Sequence, residues 1–241
     1  SKPVNLVLLE EQELSTPLNF NDPRGKHIRK GLRLEVGDSF RSGLVGGMQG
    51  QSTITEISDR NYILKHEHLK QNPPHHPIAL VCGTPRPNSA KRILRDGSTM
   101  GLEAINFVHT ELGEKSYRDS HIWKEEVVRD LLKQGASQSY SSSLPNFNHI
   151  ETMKQAMDSF EGQQIVYFDN VEDALPASEM NLSNQTTVCF IGSERGWSTN
   201  ERAEFKARGF KPFKLGTRVM RSDTAFISAL TLIQLNLGLL D

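Results

Sequence analysis

The sequence predicts an α/β protein: a mainly parallel sheet, preceded by a small antiparallel β-barrel. Three observations carry this. After residue 77, short apolar runs alternate with segments whose apolar residues recur at helical spacing, the pattern of a parallel sheet joined by helices. Before residue 71, short apolar or alternating runs are punctuated by Gly43, Gly46, Gly47 and Gly50, as in short strands joined by turns. Between the two, "QNPPHHP" at 71–77 holds three prolines, which neither a helix interior nor a central strand accepts. The expected division is a β-barrel over 1–70, a linker over 71–77 and an α/β domain over 78–241.

In chain order, Val4–Leu9, Ser39–Val45 and "STITEI" at 52–57 are the strand candidates of the first part. In the second part, "IALVCG" (78–83) reads as a buried strand. Ala90, Ile93, Leu94, Gly97 and Gly101 mark a helix, and "EAINFV" (103–108) the next strand. Trp123, Val127, Val128, Leu131 and Leu132 mark a second helix. "SQSYSSS" (137–143) reads as a serine-rich loop. Ile150, Met153, Met157 and Phe160 mark a third helix, and "QIVYFD" (164–169) and "TVCFIG" (187–192) are strands again. Ser198 with Glu201 forms a capping box, which starts a helix at Thr199 that ends near Arg208 before Gly209. The final helix, from about Asp223 to Leu237, is apolar almost all round, so it is expected to be buried in the fold or in a subunit interface. Asp223 is expected to cap it.

Charge and composition narrow the function. Lys and Arg total 28 against 29 Asp and Glu, for a net charge of −1. No global field draws a nucleic acid or a membrane, so any basic surface must be local. Cys82 and Cys189 stand far apart in apolar runs, the pattern of buried thiols in a reducing compartment. The start, "SKPVNLVLLEEQEL", is too weakly apolar for a signal peptide, and no run reaches membrane-spanning length. A soluble, cytoplasmic protein without a membrane partner is expected. "HEH" at 66–68 lacks the H-E-x-x-H spacing, and His75 and His76 in the proline stretch read as exposed and uncommitted, so no metal is expected.

Several standard sites are excluded. "CGTPRPNSAK" lacks the glycines of a dinucleotide fingerprint or a phosphate loop, and "GSERG" is not a nucleophile elbow. Two glycine-bearing loops remain, around Gly192 and Gly196 and around Gly216. Both follow strand candidates, where ligands bind in open parallel sheets. Glycines there either admit a flat polar ligand close to the backbone or simply close tight turns. The second constellation is "RGKHIRKGLR" at 24–33, where Arg24, Lys26, His27, Arg29, Lys30 and Arg33 occur with no acid among them. It reads either as a phosphate-contacting surface for RNA or as a solvated charge run.

These residues also carry a family resemblance. "FIGSERGWSTNE" followed by "KLGTRVMRSDTA" resembles the paired signature of the RsmE family, the 16S ribosomal RNA (uracil-N3) methyltransferases of the SPOUT class. That signature is roughly I-G-P-E-G-G-(F/W)-S-x-x-E, then L-G-x-R-(I/V)-L-R-x-E-T-A. "RGKHIRKGLRLEVGD" is similar to the family's N-terminal motif, and "GASQSY" sits where the family has A-x-E-Q-(S/C). The resemblance runs in order along nearly the whole chain. It implies an N-terminal PUA-like barrel, a C-terminal trefoil-knotted α/β domain, S-adenosylmethionine as cofactor and a homodimer. It also implies a ribosomal RNA partner, the small subunit or its assembly intermediate.

By the same resemblance, one cofactor loop is Ile191, Gly192, Ser193, Glu194 and Gly196. Another is Leu215, Gly216, Val219 and Met220, with Phe168 and Asp169 flanking the adenosine. Arg24, Lys26, His27, Arg29 and Lys30 are the expected RNA contacts. Arg218 and Arg221 are the expected catalytic or substrate-contacting residues, with ion pairing to Asp223 as the other reading. Departures are Ser193 for proline, Arg195 for the second glycine, Met220 for leucine and Asp223 for glutamate. Arg195 is expected to crowd the cofactor loop. The departures leave two alternatives: a non-catalytic RNA-binding or ribosome-associated protein, and a paralogue with another RNA target.

Overall fold

The computed structural model describes residues 5–241; Val4 of the first strand candidate lies outside them. The chain forms two compact units. One comprises the described part of Ser1–Pro74 together with Lys133–Leu144, the other His75–Leu132 and Pro145–Asp241. No helix among the described residues is long and apolar enough to cross a membrane.

The first unit contains β1 (Val7–Leu9), β2 (Leu18–Asn19), the short helix α1 (Pro23–Lys26), β3 (Ser39–Leu44), β4 (Gln49–Ser58) and β5 (Asn61–Lys70). They form one sheet in the order β1-β3-β4-β5-β2. The antiparallel expectation holds for β2 to β5, but β1 runs parallel to β3, with Val7 opposite Ser42. Val7, Leu9, Leu18, Ile28, Phe40, Ile54 and Tyr62 make its apolar core. The hairpin between β4 and β5 turns on Asp59 and Arg60, both at positive φ (51° and 62°), a two-residue turn without its usual glycine.

The sheet also holds a polar chain. Ser42 and Ser52, both fully buried, share a 2.6 Å hydroxyl hydrogen bond. Ser42 Oγ meets His68 Nε2 at 2.7 Å, and Ser52 Oγ meets His66 Nδ1 at 2.7 Å. The "SQSYSSS" stretch is a loop from Ser139 onward, and it is tied into the unit: Ser137 bonds the backbone of Leu6, and Ser142 is fully buried with its hydroxyl donating to Gly47 O.

The second unit contains β6 (His76–Gly83), α2 (Pro87–Thr99), β7 (Leu102–Val108), the first turns of α3 (Glu125–Gln138), β8 (Asn146–Ile150), α4 (Met153–Ser159), β9 (Gln164–Phe168), β10 (Leu175–Pro176), β11 (Thr187–Ile191), α5 (Thr199–Ala207), β12 (Pro212–Lys214) and α6 (Ser222–Asn236). Seven strands form one sheet, β10-β12-β9-β11-β6-β7-β8, and every neighbouring pair is parallel. The central strands β6 and β11 are almost wholly buried, which is why they read as unbroken apolar runs. Tyr167 stacks on Phe205 at 3.9 Å, and Trp197 meets Phe205 edge-on at 5.1 Å. α6 packs against α2 and β11. Cys82 and Cys189 are fully buried, and burial pushes both thiols well up.

Some expectations fail for local reasons. Trp123 precedes α3; its indole packs on Phe107 at 5.0 Å and donates to Tyr117 O at 2.7 Å. Ile150 ends β8 instead of starting a helix, because Thr152 caps α4 by accepting from Gln155 N. Gly101 lies beyond α2 at φ +73°. β6 begins at His76, inside the proline-rich stretch, and His75 and His76 are half-buried instead of exposed.

Candidate functional site

Parallel strands end at one edge of their sheet. The loops after β9, β11 and β12 therefore meet there, and together they line one open cavity of about 200 Å³. Phe168 and Asp169 line it from the end of β9. Ile191, Gly192, Ser193, Glu194 and Gly196 line it from the end of β11, and Leu215, Gly216, Val219 and Met220 from beyond β12. The structure thus brings all eleven residues expected around a cofactor to one hollow. Arg218 lines it too; Arg221 does not, and both are exposed.

The loop after β11 is built by close backbone approach. Gly196 N donates to Ser193 O at 2.9 Å, closing a tight turn in which Gly196 takes φ +73°. A side chain at Gly192 would come within 3.1 Å of Gly196 Cα. Gly83, at the end of β6, is pressed harder: a Cβ there would lie 2.6 Å from Ser193 N. Glycine at 83 is therefore what lets the neighbouring strand end reach the turn. Residue 195, by contrast, is not in the left-handed region. An arginine costs the backbone nothing there, and the expected crowding does not arise from the main chain; its side chain stands at the exposed rim of the cavity.

Four hydrogen bonds fix the turn. Trp197, only 1% exposed, donates its indole N–H to Phe168 O at 2.9 Å, tying the β11 loop to the end of β9. Ser198 and Glu201 form the expected reciprocal capping box, at 3.1 and 2.8 Å. The other oxygen of the buried Glu201 accepts from Glu111 N at 3.2 Å, so the same carboxylate also holds the loop after β7.

Acids and cations around the cavity are mostly paired. The Asp169 side chain, 3% exposed, accepts from Arg202 Nε at 2.7 Å and Nη2 at 3.1 Å. That hydrogen-bonded pairing raises the Arg202 guanidinium further above its ordinary range. Glu194 accepts from Arg86 N at 2.8 Å. Asp223 does not cap α6, which carries Arg221 at that position with no side-chain cap. Its carboxylate instead pairs with Arg92 of α2 at 2.9 Å, which holds it below the usual carboxylate range. The ion pair expected between Asp223 and Arg218 or Arg221 is therefore replaced.

Arg202 went unread in the sequence, since its partner lies 33 residues away. Among the described residues, no group of three or more His, Cys, Asp or Glu side chains is arranged to hold a metal ion.

In the basic segment, α1 continues into a wider helical stretch, His27–Leu32. Lys26, His27, Arg29 and Lys30 are exposed, and the Arg29 guanidinium lies 5.1 Å above the Phe20 ring. Arg24 departs from the expectation. Its five N–H groups go to Asp22 (2.9 and 2.8 Å), Leu8 O (2.8 Å) and Glu13 (3.0 Å and a second short contact). The Asp22 hydrogen bonds lead in raising its pKa. No donor is left for a phosphate.

A family model described as "RNA methyltransferase domain" matches residues 71–234. The chain is 32% identical to ribosomal RNA small subunit methyltransferase E of Treponema pallidum, over 97% of this chain and 91% of that one. It is 27% identical to ribosomal RNA small subunit methyltransferase E 1 of Borreliella burgdorferi, over 94% and 95%. Among solved structures, ribosomal RNA small subunit methyltransferase E from Neisseria gonorrhoeae, bound to S-adenosyl methionine, superposes with a TM-score of 0.75 over 97% of this chain and 98% of that one, at 17% identity. A family model spanning most of the chain and a relative aligned over nearly all of it lead to one conclusion: this chain belongs to the RNA methyltransferase family, among the ribosomal RNA small subunit methyltransferase E proteins.

Proposed function

We propose that the chain transfers a methyl group from S-adenosylmethionine to N3 of a uridine in small-subunit ribosomal RNA. The observation that carries this is the convergence of three strand-end loops on one cavity whose lining combines close-set backbone, apolar walls and a buried carboxylate. A nucleoside fits that lining. Phe168, Ile191, Leu215 and Met220 supply apolar surface, the glycine-bearing turns leave backbone groups within reach, and Asp169 offers a carboxylate to sugar hydroxyls. When bound, the sulfonium supplies an electrophilic methyl and leaves as a thioether. The protein's task is then alignment. Uracil N3 must lose its proton, which passes to solvent, and Arg218, exposed on the rim with no acid partner among the described residues, is placed to favour the resulting anion. Arg221 stands outside the hollow and serves the RNA backbone.

The same reading assigns Lys26, His27, Arg29 and Lys30 to RNA contact, with Arg24 as the structural post of that segment. It takes the first unit as a PUA-like barrel over roughly 1–70, the 71–77 stretch as its linker, and the second unit as a trefoil-knotted domain in a cytoplasmic protein. A homodimer is supported by the apolar surface left open near α6, where Val219, Ile227 and Leu235 are 87, 38 and 61% exposed.

The test is direct. Purified protein, S-adenosylmethionine and small-subunit particles depleted of the modification are combined, and nucleosides are measured by mass spectrometry. N3-methyluridine is expected. Methylation of another base would leave a methyltransferase with another target, and cofactor binding without any methylation would leave an RNA-binding protein.

A further inference from the structure

Arg202, which also lines this cavity, pairs with Asp169, and the nearby Arg86 and Arg92 pair with Glu194 and Asp223. Arg195 and Arg218 have none among the described residues, although they sit on two different loops of the same rim. Arg195 occupies the tip of the Ser193–Gly196 turn, is exposed, and adopts a backbone conformation open to any residue. Nothing in the fold requires it. A guanidinium left unpaired beside a cavity mouth, in a chain of net charge −1, is a local anion site. Its planar fork of donors matches phosphate oxygens.

We infer that Arg195 is a positioning residue of this chain that grips an RNA phosphodiester next to the target nucleotide, opposite Arg218, so that the base is presented to the cavity from the rim. This rests on the proposed methyl transfer to RNA. It concerns the substrate side of the pocket, not the cofactor. Contacts of this kind fix register without reading sequence.

The experiment compares wild type with Arg195→Gly, Arg195→Lys and Arg195→Glu in the full chain. Binding of a short fluorescein-labelled oligouridylate is followed from about 50 to 200 mM salt, and S-adenosylmethionine binding is measured by calorimetry. Arg195→Gly is expected to weaken RNA binding by about 5-fold and to lower the slope of log K against log salt by about 0.7, the value for one phosphate contact on a single strand. Lysine is expected to restore the slope, and glutamate to deepen the loss. The cofactor Kd should stay within about 2-fold, and in turnover KM for RNA should rise with kcat unchanged, the mark of uniform binding.

An unchanged slope in Arg195→Gly overturns the inference. So does an unchanged slope with a cofactor Kd shifted by about 10-fold or more, which would place the guanidinium in the cofactor pocket. Wild type that binds neither the oligonucleotide nor the cofactor overturns the underlying functional reading itself. Wild type that binds the cofactor but shows no salt-dependent RNA affinity overturns the inference alone.

Discussion

The basic segment at 24–30 and the turn at 193–196 each present an arginine beside a glycine, and the two arginines have opposite fates. In the first region Arg24 is half-buried and every donor is taken by Asp22, Glu13 and Leu8 O. In the second, Arg195 is exposed and has no acid partner among the described residues. A run of cations read along the chain does not say which of them are available. Availability is settled by acids and carbonyls brought in from elsewhere, here by Glu13 on the turn after β1. Arg24 is held within the fold, while its neighbours Lys26, Arg29 and Lys30 stay exposed.

The sharpest way to test the contrast is to loosen the turn that presents Arg195. Trp197→Ala removes a buried indole and its bond to Phe168 O, and is expected to cost about 3–5 kcal/mol of stability and to weaken cofactor binding. Denaturant unfolding and calorimetry read the two effects. A folded Trp197→Ala protein with unaltered cofactor affinity would show that the turn's anchorage does not govern the cavity.

Arg24→Met comes next. It leaves two carboxylates and a carbonyl without their donor. Since the pair retains about a quarter of its side-chain exposure, the cost is expected near 1–2 kcal/mol, below that of a buried charge. The salt slope of RNA binding should not change. A slope lowered as for an RNA contact would erase the distinction between the two arginines.

The smallest effect concerns the His66–Ser52–Ser42–His68 chain. Three hydrogen bonds join four groups. The two hydroxyls supply two of the protons and one imidazole the third, so the other imidazole must accept and stay neutral. Burial lowers the pKa of both rings, and for His68 the charge of His66 adds to it. The unfolded chain therefore binds more protons at mildly acidic pH. The stability that these rings contribute is present above their unfolded pKa, near 6.5, and is lost as pH falls through the lower folded values. Melting temperature should decline from about pH 7.5 to 5, and His66→Gln with His68→Gln should flatten that decline. A wild-type curve that is flat already would mean that the chain accommodates the extra proton.

How much was legible differs by kind of interaction. The capping box at Ser198 and Glu201 spans three residues and was readable, as were β6 and β11, whose burial on both faces leaves an apolar run. β8 was not, because an edge strand can carry polar residues such as Asn146, Asn148 and His149. β5 hid behind alternating histidines and charges, and β10 is only two residues long. The loops expected to hold a cofactor were singled out by their motif resemblance. Spacing alone favoured tight turns at their glycines, and the structure shows that Gly196 does close one.

The sequence by itself determined the local features: strand and helix periodicity, the capping box, and the glycine-bearing loops whose motifs carry the family resemblance. These depend on residues a few positions apart, whose geometry the backbone imposes directly. Only the tertiary structure decided which loops share a cavity, that Asp169 belongs to Arg202 and Asp223 to Arg92, and that Arg24 is occupied while Arg195 is not. Those outcomes depend on strand order in the sheet, which brings together groups from 11 to 131 residues apart, and no local pattern encodes that order.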